Sequence, residues 1–212
     1  MSSGHIVFES VPSLLIRKYA YAASEELEKE MSALFSDQAL LGCTDKTKSK
    51  YATLVQLLSG EEMRESDFKP FQVTTLKWLM QRGSLWIDDV GIVRLSNPRV
   101  RILRDLYRHD VLCLCWYDSW ISQIDRMTEL GDLREKATLF SQPEADYLDY
   151  MLNKSKFSDG LDLRNKYIHS TYSTIEAEQQ TDYIQLLKLM VLIITKMNDE
   201  FCIWKDEKEV TP

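Results

Sequence analysis

Apolar residues recur at helical spacing along most of this 212-residue chain. In several windows they return every three or four positions, which is the period of one face of an α-helix. The predicted helices cover residues 13–35, 51–58, 71–82, 100–127, 143–153 and 175–204, with shorter ones that begin near residues 133 and 163. In the last helix, one apolar stripe is predicted to face the core: Ile184, Leu187, Val191, Ile194, Met197 and Phe201. The pattern therefore predicts a mainly α fold.

One segment breaks the helical period. Two short β-rich runs, residues 84–87 and 92–95, flank an Asp-Asp-Val-Gly turn at 88–91, which predicts a β-hairpin. The hairpin follows two predicted helices. Helix, helix and hairpin in this order resemble a winged helix-turn-helix module, with residues 75–95 similar to its recognition helix and wing.

Composition restricts the class of protein further. Seven glycines and five prolines are too few for the frequent turns of a small β-sandwich or barrel. An apolar content of 44% excludes an intrinsically disordered chain. The four cysteines lack the spacing of a zinc or redox motif, and the acidic residues form no cluster with metal-ligand spacing. We therefore expect neither a metal nor another cofactor.

The sequence indicates a cytoplasmic protein with no membrane partner. Its longest apolar run, Leu186–Ile194, is interrupted by Lys188 and is too short to span a bilayer. The chain opens without the pattern of a signal peptide.

Charge is distributed unevenly along the chain. The net charge is −7, which argues against a protein that coats nucleic acid with its whole surface, whereas residues 46–110 carry a basic excess. The densest basic run is predicted to contact nucleic-acid phosphates: Arg94, Arg99, Arg101, Arg104 and Arg108. The alternative is a solvated helix face, and the glutamate-rich run at residues 25–30 is interpreted in that way.

The segment from Gly160 to His169 places three polar groups on one predicted helix. Residues four apart share a helix face, so Asn165 and His169 would stack, with Arg164 beside them. The apolar residues of this helix are predicted to pack into the core: Leu163, Tyr167 and Ile168. The helix would therefore present a cation, an amide and an imidazole together.

An arginine, a polar residue after it, and a histidine within a few positions resemble the motif of the HEPN superfamily. The resemblance covers about the C-terminal half of the chain, a helical bundle with the motif before the last helix. It implies metal-independent RNA cleavage in a composite cleft between two protomers. His169 would move protons, Arg164 would stabilise charge at phosphorus, and Asn165 would position the phosphate or hold the histidine tautomer. The products would carry 2′,3′-cyclic phosphate and 5′-hydroxyl ends.

A second match to the arginine–histidine spacing runs from Arg104 to His109. It lies early in a predicted long helix, directly after the predicted wing, and we interpret it as a chance match. Asn165, the preceding loop and the position before the last helix favour the match at residues 164–169.

These observations predict two modules, with an N-terminal helix and a winged-helix-like module over residues 1–97 and a HEPN-like helical bundle over residues 98–212. The leading hypothesis is a homodimeric endoribonuclease of antiviral defence or toxin–antitoxin type, with RNA as substrate. The alternative is a non-catalytic accessory subunit that docks onto partner proteins, such as a large ATPase. A third hypothesis is that the protein is a transcriptional regulator whose recognition helix covers residues 71–82.

Overall fold

A computed structural model describes residues 7–154, 156–169 and 173–210, and they are mainly helical, as the sequence predicts. The α-helices of these residues are α1 Glu25–Phe35, α2 Leu54–Gly60, α3 Pro70–Arg82, α4 Asn97–His109, α5 Ile121–Glu129, α6 Gln142–Leu152, α7 Leu163–Ile168 and α8 Glu176–Val210. The strands are β1 Tyr19–Ala22, β2 Leu85–Ile87, β3 Val93–Leu95, β4 Leu112–Cys113 and β5 Leu133–Lys136.

The chain divides into two compact units. The central unit comprises Ala20–Glu135, and the terminal unit comprises the chain up to Tyr19 together with the chain from Lys136 onward. The module boundary predicted after residue 97 falls at the first turn of α4, within the central unit, and that division stays a prediction.

Local signals form the helices and the hairpin that the sequence predicts within residues 51–95. Thr53 caps α2 through a capping box, and Pro70 occupies the first turn of α3, where its missing N–H costs nothing. Strands β2 and β3 pair antiparallel, with Trp86 opposite Arg94. Gly91 supplies the positive φ of +84° that the connecting turn requires.

Three predicted helices differ from the structure. The segment predicted as one helix over residues 13–35 contains strand β1 before α1, and β1 lies between β4 and β5 in a three-stranded sheet. The helix predicted over 100–127 ends at His109, where Asp110 adopts a left-handed backbone with φ of 59°. The apolar run after it forms β4 and a 3₁₀ turn, and the helix predicted near residue 133 is strand β5.

A buried network of charges lies within the central unit. The carboxylate of Glu30 accepts hydrogen bonds from Arg82 Nε, Arg99 Nε and Arg99 Nη2, each at 2.8 Å, and a further one from Ser84. Asp132 accepts from Arg82 at 2.7 Å and from Arg99 at 3.2 Å. Burial alone would raise the pKa of Asp132, but the two guanidinium groups hold it below its ordinary value. The glutamate-rich run is therefore not wholly a solvated face, because Glu30 is buried.

The terminal unit has its own apolar core, built from the start of the chain and its last three helices. Buried residues of this core include Phe8, Phe140, Leu148, Leu163 and Leu189. Ser141 caps α6 through a capping box with Glu144. None of the helices in the part of the chain that the structure describes is long and apolar enough to cross a membrane.

A buried ion pair also lies within the terminal unit. Lys18 Nζ contacts the carboxylate of Glu200 on α8, and both side chains are almost fully buried. The same carboxylate accepts a hydrogen bond from the hydroxyl of Ser13 and one from the backbone N–H of Leu14 at 2.7 Å. Lys18 donates a second hydrogen bond to the carbonyl of Leu139 at 2.9 Å, so both charged groups have several partners.

Candidate functional site

The loop that leads into the motif is fixed against the end of α6. The backbone N–H of Leu161 donates to the carbonyl of Tyr150 at 2.9 Å, which satisfies a carbonyl near the helix end. A Cβ atom on Gly160 would lie 2.8 Å from the same carbonyl oxygen and 3.1 Å from that of Asn153. Only glycine allows this close approach, so the position of the loop depends on Gly160.

The motif lies on α7 and on the residue that ends it. Leu163 is fully buried and anchors the helix in the core of the terminal unit. Ile168 is exposed and Tyr167 borders on exposed, so the prediction that both pack into the core is wrong. With two large apolar side chains near the surface, α7 presents more than its polar motif to solvent.

The structure keeps the three motif residues on one short stretch of backbone. The backbone N–H of His169 donates to the carbonyl of Asn165 at 3.0 Å, so these residues lie one helical turn apart, as predicted. His169 is exposed, while Arg164 and Asn165 are half-buried. The side chain of Asn165 donates from Nδ2 to Oδ1 of Asp162 at 2.7 Å. The imidazole is therefore open to solvent, and the amide is held in a defined orientation.

Asp182 of α8 contacts two residues of α7 that are not part of the motif. Its Oδ2 atom lies 3.5 Å from Lys166 Nζ and 3.3 Å from the hydroxyl oxygen of Tyr167. A cleft of about 590 Å³ adjoins these contacts, and its lining includes Lys166, Ser173, Ala177, Glu178, Thr181 and Asp182. The motif helix thus stands beside an open depression whose lining residues are mostly polar.

The five arginines predicted to contact phosphates lie in different environments. Arg99 is buried between Glu30 and Asp132, so its guanidinium is inside the central unit. Arg94 is paired on the hairpin, with Nε 2.8 Å from Asp88 and Nη2 3.0 Å from Glu62.

The other three arginines follow one another along α4 with spacings of three and four residues. Arg108 is exposed, and the guanidinium of Arg101 lies 4.9 Å from the ring centre of Trp120. Nε of Arg104 is buried and has no hydrogen-bond partner, since the nearest carboxylate oxygen, on Asp105, is 3.7 Å away. Arg101 and Arg108 are thus the more accessible cations of the predicted basic run.

The second arginine–histidine match lies at the C-terminal end of α4. His109 is exposed there as the last residue of the helix, and Arg104 is half-buried five residues before it. Exposure alone therefore does not separate His109 from His169. Among the residues that the structure describes, no three His, Cys, Asp or Glu side chains cluster in a way that could hold a metal ion.

The apolar stripe of α8 is the main surface feature that sequence reasoning interpreted incorrectly. All six residues predicted to face the core are exposed: Ile184, Leu187, Val191, Ile194, Met197 and Phe201. The buried side of α8 instead carries Leu189 and Glu200. The helical period predicted the stripe, but a period does not say which of two apolar faces packs inward.

Comparison of the chain with models of protein families, with curated proteins and with solved structures finds no match.

Proposed function

We propose that the chain is a metal-independent endoribonuclease of HEPN type, active as a homodimer in antiviral defence or toxin–antitoxin systems. The observation that carries the proposal is the exposed imidazole of His169, one turn from Asn165 and on the same short helix as Arg164. The buried Leu163 and the close-fitting Gly160 hold that helix in place. The defence context comes from the family resemblance alone.

The proposed reaction is an internal transesterification of RNA. His169 accepts the proton of a ribose 2′-hydroxyl, and the 2′-oxygen attacks the adjacent phosphorus. The bond from phosphorus to the 5′-oxygen breaks, and His169 of the partner subunit, in its protonated form, gives a proton to that oxygen. Arg164 stabilises the charge on the non-bridging oxygens in the transition state. The atoms balance with a 2′,3′-cyclic phosphate and a 5′-hydroxyl, and no metal takes part.

His169 and His109, both exposed in the described part of the chain, provide a direct test of this proposal. Purified protein is incubated with RNA in the presence of EDTA, and the new ends are identified by their sensitivity to phosphatase and kinase. Loss of a general acid–base group lowers such rates by about 10²–10⁴-fold, so His169→Ala should lose at least that much activity. His109→Ala, a change at another exposed histidine, should cleave at the wild-type rate.

Two results would count against the ribonuclease proposal. Cleavage that disappears with EDTA would point to a metal-dependent contaminant. Equal rates for wild type and His169→Ala, with both proteins folded by circular dichroism, would remove His169 from the reaction.

A second candidate function is supported by α8. Its exposed apolar side chains exceed what a helix at a protein surface normally carries, and such patches mark interaction sites. This favours the non-catalytic accessory subunit of a multi-protein defence complex. That function predicts intact RNA in the assay above and stoichiometric co-purification with a partner, such as a large ATPase, from the native host.

A further inference from the structure

One exposed face of α8 has the spacing of a coiled coil. Its members recur at intervals of four and three residues, and each exposes between 44% and 63% of its surface: Tyr183, Leu187, Met190, Ile194, Met197 and Phe201. We call this set the α8 seam. An alternation of three and four over consecutive heptads is the pattern that pairs two helices in a left-handed supercoil.

The fold of the chain itself does not use the α8 seam. The face that packs into the terminal unit consists of Leu186, Leu189, Ile193 and Glu200, of which Leu189 and Glu200 are buried. At about 100° per residue, that face lies about a quarter of a turn away from the seam. The helix therefore has two apolar faces, and its own unit covers only one.

The side-chain types along the seam are nearly symmetric about residue 192. Its ends are aromatic, Tyr183 and Phe201, and its inner members are aliphatic or thioether side chains. An antiparallel copy of α8 would therefore place Tyr183 against Phe201 of the partner subunit, and Leu187 against Met197 of the partner subunit. Aromatic pairs of this kind add about 0.5–1.5 kcal/mol beyond their buried area.

Charge and area favour a second copy over a different partner. The exposed residues beside the seam, Ile184, Val191 and Asn198, carry no charge, so two copies meet without repulsion between like charges. Coiled coils that choose a different chain do so through charged flanking positions, and the exposed flank of this stretch has none. The one charged residue on its other flank, Glu200, is buried and paired with Lys18. At roughly 200 Å² per large apolar side chain, half-exposure of the seam with Ile184 and Val191 offers about 800 Å² per copy. That area is what a standard protein interface buries on each side.

We propose that the α8 seam binds the α8 seam of a second copy of this chain as an antiparallel two-helix coiled coil. The midpoint of the pair along the helix axis is at the level of residue 192, between Met190 and Ile194. This pairing goes beyond the proposed function and does not itself form the composite cleft. Asp182, which contacts the motif helix, lies ten residues from the centre of the pair, so the two motifs would be about 30 Å apart along the paired helices, and the cleft would form through a separate contact between copies. The association itself is measured without RNA, so the two proposals can fail separately.

The first experiment measures mass by light scattering after gel filtration of the full chain. Wild-type protein should have twice the mass of the chain. Ile194→Asp should reduce the mass to that of a monomer, because it places a charge within the seam. Leu192→Asp is the matched control: Leu192 is 54% exposed, but it lies on the opposite side of the helix, so this variant should stay dimeric.

Circular dichroism shows whether each variant is folded. A monomeric wild type would overturn the proposal. A folded Ile194→Asp variant that stays dimeric would also overturn it, as would an equal loss of dimer in Leu192→Asp. A dimer that depends on Ile194 but cleaves no RNA would keep this inference and refute the ribonuclease.

Disulfide cross-linking tests the direction of the pair, in a background with Cys202→Ser because Cys202 is an exposed native thiol. Under mild oxidation by copper phenanthroline and air, a mixture of Leu187→Cys and Met197→Cys proteins should give a mixed disulfide dimer. Cross-linking of Leu187→Cys to itself, without the mixed product, would mean a parallel pair and would overturn the proposed register.

Discussion

The side-chain amide of Asn165 donates a hydrogen bond to the carboxylate of Asp162, with 2.7 Å between Nδ2 and Oδ1. Asp162 immediately precedes α7 and has a left-handed backbone, with φ of 54°. The amide of the motif is therefore oriented by a residue that stands before the helix. This relationship gives Asp162 a positioning role in the proposed site, because it fixes which way Asn165 can present its polar atoms.

We expect Asn165→Asp to destabilise the protein, because two carboxylates would then face each other at hydrogen-bond distance. Loss of a hydrogen bond to a charged group costs about 1.5–3 kcal/mol, and urea unfolding at pH 7 measures the change. The exchanged pair, Asp162→Asn with Asn165→Asp, restores one amide and one carboxylate. It should recover most of the loss, and an exchanged pair as unstable as the single variant would contradict this account.

The close approach at Gly160 makes a second prediction. Gly160→Ala places a Cβ atom 2.8 Å from the carbonyl oxygen of Tyr150, and backbone atoms must shift to accept it. We expect a loss of about 2–3 kcal/mol in unfolding free energy, typical of overpacking, together with slower RNA cleavage because the loop positions α7. Gly91→Ala is the control: it has space around it and only the cost of a left-handed alanine, about 1 kcal/mol, so cleavage should not change. If the two variants cleave RNA at the same rate, the loop at Gly160 does not position the catalytic residues.

How well the sequence predicts this fold depends on whether a signal is local. The hairpin at residues 85–95 and the start of α3 at Pro70 were predictable, because a turn sequence and a proline act on their immediate neighbours. Strand β1 was not predictable from periodicity, because its pairing with β4 and β5 depends on residues far along the chain. The break after His109 depends on the positive φ of Asp110, a conformation that an aspartate allows without requiring.

The candidate site shows the same limit. Spacing predicted Arg164, Asn165 and His169 on one helix, and the structure has the first two on α7 and His169 as the residue that ends it. Burial was less predictable: Glu30 is enclosed by Arg82 and Arg99, which lie more than fifty residues away in sequence. The same absence of long-range information led to the wrong prediction for the exposed face of α8.

The network around Glu30 gives a third prediction. Glu30→Gln removes the charge that the half-buried Arg82 and the buried Arg99 share, and breaking a buried pair from one side costs about 3–5 kcal/mol. We expect a large drop in the thermal unfolding temperature. Glu26→Gln, an exposed position on the same helix, should leave that temperature within experimental error. Similar small effects at both positions would mean that the arginines find other partners.

The fourth prediction concerns pH and follows from Glu200. Burial raises the pKa of this carboxyl, but hydrogen bonds from Lys18, Ser13 and the backbone of Leu14 outweigh burial and hold the pKa below its ordinary value. An unfolded glutamate has a pKa of about 4.3, so between the two values the unfolded chain binds more protons than the folded protein. The stability that Glu200 contributes is therefore complete above about pH 5 and is lost as the pH falls through the folded pKa.

Comparison with Glu200→Gln separates this contribution from those of the other carboxylates. At pH 7 the variant should be less stable than wild type by about 3 kcal/mol, because Lys18 is left buried without its charge partner. The difference should shrink as the pH is lowered below about 5, because the unfolded wild-type chain then takes up a proton that the folded carboxyl accepts only at its lower pKa. Urea unfolding at several pH values gives both curves. A difference that stays constant across this range would show that the pairing of Lys18 with Glu200 does not depend on the charge of the carboxylate.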